Sequence, residues 1–138
     1  MNKVLAVLGL MAFPVSAMAQ QGLEQAANRA RRAWLSHNPA ALVASSPRLL
    51  VQLPGADPSV ALGPAQAAAL LADFLEPALE VEVVVRAARE VEPGRGYVEL
   101  HRRYRVAGTQ DIRSQVLLLG YRMEGGGWSL VELRVVGQ

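Results

Sequence analysis

Arg102 is the residue that most demands a chemical explanation in this sequence. It lies in an alternating stretch, Tyr97 to Val106, where Val98, Leu100, Tyr104 and Val106 share its parity. A guanidinium on an apolar strand face must be paired or reach water, because an unpaired buried charge is costly. Two arrangements satisfy it. One is a carboxylate, either Asp73 or an acid on a neighbouring strand. The other is a place in a cavity wall or rim, where its planar fork grips a flat or anionic ligand. Trp34, Phe74 and Tyr104 are the large aromatic side chains that could line such a pocket beside it. Trp34, Phe74, Arg102 and Tyr104 are therefore the candidate pocket residues.

Other chemistry finds little footing. His37 and His101 are far apart and fall on different elements, and with no cysteine they show no metal-ligand spacing. Nothing resembles a catalytic carboxylate pair, a nucleophile elbow or a phosphate loop. Gly94-Arg95-Gly96 and Gly125-Gly126-Gly127 each fall between alternating stretches and read as hairpin turns. Ketosteroid-isomerase-like chemistry would need an inward acid facing inward donors. Tyr104 is such a donor, but the acids of the strands fall mainly on the other face. The sequence marks no catalytic residue, no cofactor-binding residue and no metal ligand, and no cofactor is expected.

Glu99, His101, Arg103 and Arg105 share one strand face, and Glu80, Glu82 and Arg86 share the matching face of the strand before it. Interleaved signs read as a solvated outer face whose charges pair across strands, at about 0.2–1 kcal/mol per pair. A surface built for an anionic partner would be more one-signed.

The chain has 138 residues, 14 lysines and arginines, 12 carboxylates and a formal net charge of +2. So small a charge offers little counterion-release affinity, and no nucleic-acid partner is expected. At 51% apolar it can fill a core. Without cysteine, disulfides, thiol catalysis, Cys-based zinc sites and lipobox lipidation are excluded. Met1-Asn2-Lys3 is a short basic start, Val4 to Phe13 an uncharged apolar run, and Ala17-Met18-Ala19 a small-x-small cleavage site. These are the parts of a secretory signal peptide, residues 1–19, cleaved before Gln20. The run is too short to span a bilayer, which takes about 20 apolar residues. Residues 20–138 are expected as one exported domain, periplasmic or secreted, with no membrane attachment after cleavage.

From Gln20 to Leu35 the apolar positions Leu23, Ala27, Ala30 and Trp34 recur at helical spacing. Ser36-His37-Asn38-Pro39 ends that helix, and Asn38 caps a short second one through Ala44. Leu49 to Leu53 is a short strand, followed by a Pro-Gly turn cluster and a second small strand, Val60 to Leu62. Gly63-Pro64 opens a helix with Ala67, Leu70, Leu71 and Phe74 on one stripe, ended by Pro77. After Leu79 the period becomes two, giving an antiparallel meander of four long strands that must twist and bend. Strict alternation turns Leu79, Val81, Val83, Val85 and Ala87 toward the helices, and Glu80, Glu82, Val84 and Arg86 away. The fold class is α+β, with N-terminal helices packed on the concave face of a curved, long-stranded antiparallel sheet.

Particular residues sharpen this order: Pro39-Ala40-Ala41-Leu42 after the first helix, Gly63-Pro64-Ala65-Gln66-Ala67 with Leu71 and Phe74, Tyr97 opening a strand, and Gly125-Gly126-Gly127-Trp128-Ser129-Leu130 with Leu133. In their order and spacing the chain resembles the nuclear-transport-factor-2-like superfamily, the cystatin-like α+β cone. Within it the chain is most similar to small secreted bacterial lumazine-binding-like domains of unknown function. The resemblance covers nearly all of residues 20–138. It implies a conical cavity between sheet and helices, used by relatives as isomerases, dehydratases or small-molecule binders, while others dimerise through the sheet's outer face. It supplies no catalytic residues. Three functions follow: a non-catalytic exported domain binding a small molecule in the cone, an envelope protein that uses its sheet face for a homodimer or other partner, and a cofactor-free isomerase or dehydratase-type enzyme.

Overall fold

The computed structural model describes residues 15–137. The basic start and the apolar run, Val4 to Phe13, lie outside the described residues. Helix α1 (Val15–Leu35) continues through Ala17-Met18-Ala19 into the amphipathic stretch expected from Gln20. Leu23, Ala26, Ala27, Ala30 and Trp34 form its buried stripe, one face of a 3.6-residue repeat. The helix closes in a Schellman arrangement, with the Asn38 N–H donating to the Ala33 carbonyl at 2.8 Å and the His37 N–H to the Trp34 carbonyl at 3.0 Å. His37 stands there at φ 52°, the left-handed position that glycine usually takes. Asn38 then caps α2 (Pro39–Val43), its Oδ1 accepting from the Ala41 N–H at 3.1 Å. Helix α3 (Pro64–Leu75) begins where Gly63-Pro64 marks it and buries Ala67, Leu71 and Leu75. Among the described residues no helix is long and apolar enough to cross a membrane.

The sheet has five strands: β1 (Leu50–Gln52), β2 (Ala78–Glu92), β3 (Arg95–Val106), β4 (Ile112–Glu124) and β5 (Gly127–Val136). Their order across the sheet is β1-β5-β4-β3-β2. The last four form the expected meander, curved and not closed. β1 adds a parallel edge, with Val51 opposite Leu133. The small strand expected at Val60 to Leu62 reduces to a single bridge between Leu49 and Leu62.

The alternation read for β2 is corrected by β-bulges. Its register against β3 shifts between Glu80 and Glu82, between Val85 and Ala87, and between Glu90 and Glu92. Each extra residue reverses the parity of the residues on either side of it. Leu79 and Val81 are 46% and 49% exposed, whereas Val83 is only 2% exposed. Glu80, expected outside, points inward with its side chain 2% exposed. Val83 and Val85 do pack on the core and Glu82 faces out, as alternation requires. Past the second shift Ala87, expected inside, turns outward opposite Glu99, and Ala88 packs on the core instead. The cause is length: a strand running from Ala78 to Glu92 in a small curved sheet cannot hold one ideal pleat, and bulges take up the bend.

Sheet and helices close over a core that includes Leu23, Trp34, Leu71, Leu100, Leu117, Leu119, Leu130 and Leu133. Gly96, read as part of a turn, lies inside β3 beneath α1. A Cβ there would fall 2.8 Å from Leu23 Cδ1 and 3.3 Å from Trp128 Cζ3, so the helix can come this close only over glycine. Trp128 Nε1 donates to the Ala19 carbonyl at 2.8 Å, fastening the start of α1 to the last hairpin.

Candidate functional site

Arg102 is buried at 1% exposure, on the inner face of β3 between Val83 of β2 and Gln115 of β4. Its Nε donates to Glu80 Oε2 at 3.2 Å, its Nη2 donates to Glu80 Oε1, and its Nη1 donates to Gln115 Oε1 at 2.8 Å. The carboxylate comes from β2, not from Asp73. The first bulge is what delivers it: without the reversal at Val81, Glu80 would face solvent and Arg102 would be buried alone. Two parallel bonds to one carboxylate suit the guanidinium fork and fix its plane.

That plane lies among the three aromatic side chains singled out from sequence. The guanidinium carbon is 4.0 Å from the Tyr104 ring centroid, 5.3 Å from Trp34 and 5.8 Å from Phe74. Trp34 and Phe74 meet edge to face at 6.4 Å. A cation over ring faces is stabilised by the ring quadrupoles, by about 2 kcal/mol or more once desolvated. His37 completes the cluster, its Nε2 3.1 Å from Glu80 Oε1. Its left-handed backbone at the end of α1 aims the ring at this carboxylate.

An open cleft of about 380 Å³ adjoins the cluster where α3 ends and β2 begins. Phe74, Arg102 and Tyr104 line it, with Asp73, Val106 and Arg113. Trp34 does not; it lies beneath, at 1% exposure, with its Nε1 meeting no acceptor among the described residues. Glu80 does not line the cleft either. The structure thus brings Trp34, Phe74, Arg102 and Tyr104 together, with Trp34 beneath the cleft rather than in its lining, and adds Glu80, His37 and Gln115, which sequence reasoning did not place there. No local signal marks the bulge that delivers Glu80: Val83, Val84 and Val85 just beyond it pair in unbroken register with Arg102, His101 and Leu100.

The outer face carries the paired charges expected of it. Arg103 lies 3.8 Å from Glu82, and His101 Nε2 2.6 Å from Glu99 Oε2. Tyr97 Oη donates to Glu99 Oε1 at 2.7 Å. The hydrogen bond from His101, then that from Tyr97, holds the Glu99 carboxyl below the usual range. Burial and then the Glu99 carboxylate push the Tyr97 phenol up. Burial pushes the Tyr121 phenol, on the inner face, strongly upward. Among the described residues no group of three or more His, Asp or Glu side chains is placed to hold a metal.

The sequence matches no protein-family profile and no curated protein. Solved structures do match. The chain is similar to a DUF4783 family protein from Bacteroides uniformis, with TM-score 0.66 and 12% identity over 80% of this chain and 95% of that one. It is also similar to a ketosteroid isomerase-like protein from Erwinia carotovora atroseptica, with TM-score 0.71 and 14% identity over 86% and 95%. A putative dehydratase from the NTF2-like family of Streptomyces avermitilis gives TM-score 0.68 and 11% identity over 88% and 97%. These likenesses establish the fold as the nuclear-transport-factor-2-like, cystatin-like α+β cone. At such identities they carry no residue-level function.

Proposed function

We propose that this chain is an exported, non-catalytic domain that binds a small molecule in the cleft at the mouth of its cone. The observation that supports this is an open aromatic cleft resting on a buried polar base with fixed geometry. At about 380 Å³ the cleft lies within the roughly 300–1,000 Å³ range of small-molecule sites. Phe74, Tyr104 and Val106 give it apolar walls, while Asp73 and Arg113 place one acceptor and one donor at its rim. Arg102 lends it no free charge, because Glu80 neutralises the guanidinium and Gln115 takes a third N–H. The preferred ligand is therefore flat and uncharged, with polar edges, and anions are not favoured here. Export rests on the signal-like residues 1–19.

The same geometry disfavours an isomerase or dehydratase. A general base must reach the proton it removes. Glu80, the acid turned inward, is occupied by Arg102 and His37 and is sealed from the cleft, and Asp73, the carboxylate that does line it, stands exposed at the rim. Val106→Trp tests the reading by filling the cleft while leaving the Arg102 cluster intact. Uncharged heteroaromatic fragments should shift wild-type amide resonances around Phe74, Tyr104 and Val106, and the variant should lose those shifts while keeping its melting temperature. Fragment shifts that persist in the variant would overturn the assignment.

A further inference from the structure

A cavity of about 660 Å³, larger than the cleft of the cone, lies on the outer face of the sheet. It is a trough that crosses the strands from the Pro47–Leu50 segment to the end of β2. Its floor and walls are apolar where the strands pass under it, with Tyr97 and Leu118 half-buried and Leu50 and Val91 exposed. Four arginines, Arg48, Arg95, Arg122 and Arg134, line it against two carboxylates, Glu124 and Glu132.

The trough shows three marks of a built feature. Two bulges each deliver an extra valine into it: Val91, at the shift between Glu90 and Glu92, and Val131, opposite the shift between Gly120 and Tyr121. Bulges re-aim side chains in this way. At its centre Gly120 adds no side chain to the floor of β4. A Cβ there would lie 3.4 Å from Glu132 Cβ and 3.7 Å from Glu132 Oε1, ordinary contact with a side chain that leans toward the glycine, so packing on the sheet itself does not require glycine at that position. Glycine inside a strand often marks close approach by a ligand. The third mark is charge. Arg95 pairs with Glu92, but Arg48, Arg122 and Arg134 enter none of the ion pairs among the described residues. Arg48 and Arg134 donate only to uncharged oxygens, the Ala61 carbonyl at 3.2 Å and the Gln52 amide at 3.1 Å.

We propose that this trough binds a small amphiphilic anion, an apolar chain or ring bearing one acidic head. The apolar floor takes the body, and Arg122 takes the head, for which guanidinium is the best-matched side chain; Arg134, opposite Leu118 and beyond Glu132, lies at the other end of the trough. Charge selects this occupant over a second copy of the chain, because four arginines against two carboxylates leave each trough an excess of positive charge that a second copy would double and an anion would offset. The site is distinct from the cleft in the cone in place, in chemistry and in residues.

Laurate below its micellar concentration, titrated against the folded chain by calorimetry, is the probe, with dodecanol as its uncharged match. Laurate should bind one to one and at least about tenfold more tightly than dodecanol, the factor expected for charge-assisted hydrogen bonds. Arg122→Glu should remove that preference, Arg134→Glu should leave it, and Gly120→Phe should abolish binding of both. Melting temperatures and the fragment shifts of the cone cleft should be unchanged in these variants, so failure here and failure of the cleft reading are separately visible. Equal affinity for laurate and dodecanol, or undiminished laurate binding by Arg122→Glu, would overturn the proposal. So would a wild-type dimer in sedimentation that Arg122→Glu dissociates, since the face would then be occupied by a second copy. Tighter, competing binding of an acidic peptide would overturn it in favour of a protein partner.

Discussion

Arg102 on β3 and Arg122 on β4 belong to one sheet and meet opposite fates. The first is buried with a carboxylate, an amide and three aromatic rings about it, while the second stands in an open trough and enters no ion pair among the described residues. The difference follows from solvent. An ion taken out of water must have its charge and its hydrogen bonds answered by the protein, so Glu80 and Gln115 are obligatory once Arg102 is inside. On the outer face water answers the charge at almost no cost, and the arginine stays available to a ligand. The buried cluster thus confers rigidity and shape, whereas the trough confers charge.

The sharpest way to break this contrast is Arg102→Met, which keeps the stem and removes the fork. It leaves Glu80 buried with only His37, and unfolding free energy should fall by about 3–5 kcal/mol. Glu80→Gln combined with Arg102→Met should recover part of that loss. Denaturant melts of the single and double variants measure both, and additive losses would show that the two side chains do not form a unit. Arg122→Ala, the matching change outside, should move stability by no more than about 0.5 kcal/mol.

Next in size is the bulge that turns Glu80 inward. Val83→Ala should cost on the order of 1–3 kcal/mol through the cavity it leaves, and Val81→Ala almost nothing, although the two valines are of the same parity. Equal costs in chemical melts would restore an unbroken strand and remove the explanation for the Arg102 pair.

Titration probes the two faces at opposite ends of the pH scale. Burial raises the Tyr121 phenol, so the stability it carries is fully present below its unfolded value of about 10 and is lost as pH rises beyond it. Tyr121→Phe should flatten the alkaline fall in denaturant midpoint. The smallest effect belongs to the outer face. Glu99 is lowered by His101 and Tyr97, so its contribution is present above the ordinary carboxylate range and is lost as pH falls through its depressed value. Glu99→Gln should shallow the acid limb only slightly, because the pair is partly exposed and screened. A larger change on the acid side than Tyr121→Phe produces on the alkaline side would reverse the ranking of the two faces.

Much of the architecture was legible in local patterns. The helical stripe from Leu23 to Trp34, the Asn38-Pro39 cap, the Gly63-Pro64 start and the period-two strands rest on interactions within a few residues of one another, and the cone follows from burying those faces together. Arg102 was likewise marked by its own neighbours, since a guanidinium at that parity needs a partner wherever the chain goes. The identity of the partner was not marked. Glu80 faces inward only because β2 bulges at Val81, and that bulge answers the curvature of the whole sheet rather than any local preference. The trough depends on tertiary placement too, because Arg48, Arg95, Arg122 and Arg134 come from separate segments and line one surface only when β1 pairs with β5 and the meander folds beside it. Sequence alone determined the apolar faces of α1, α3 and β3 and which charge was out of place. Tertiary structure decided which acid meets that charge and where the unpaired arginines gather, because both depend on register across strands, which no single strand carries.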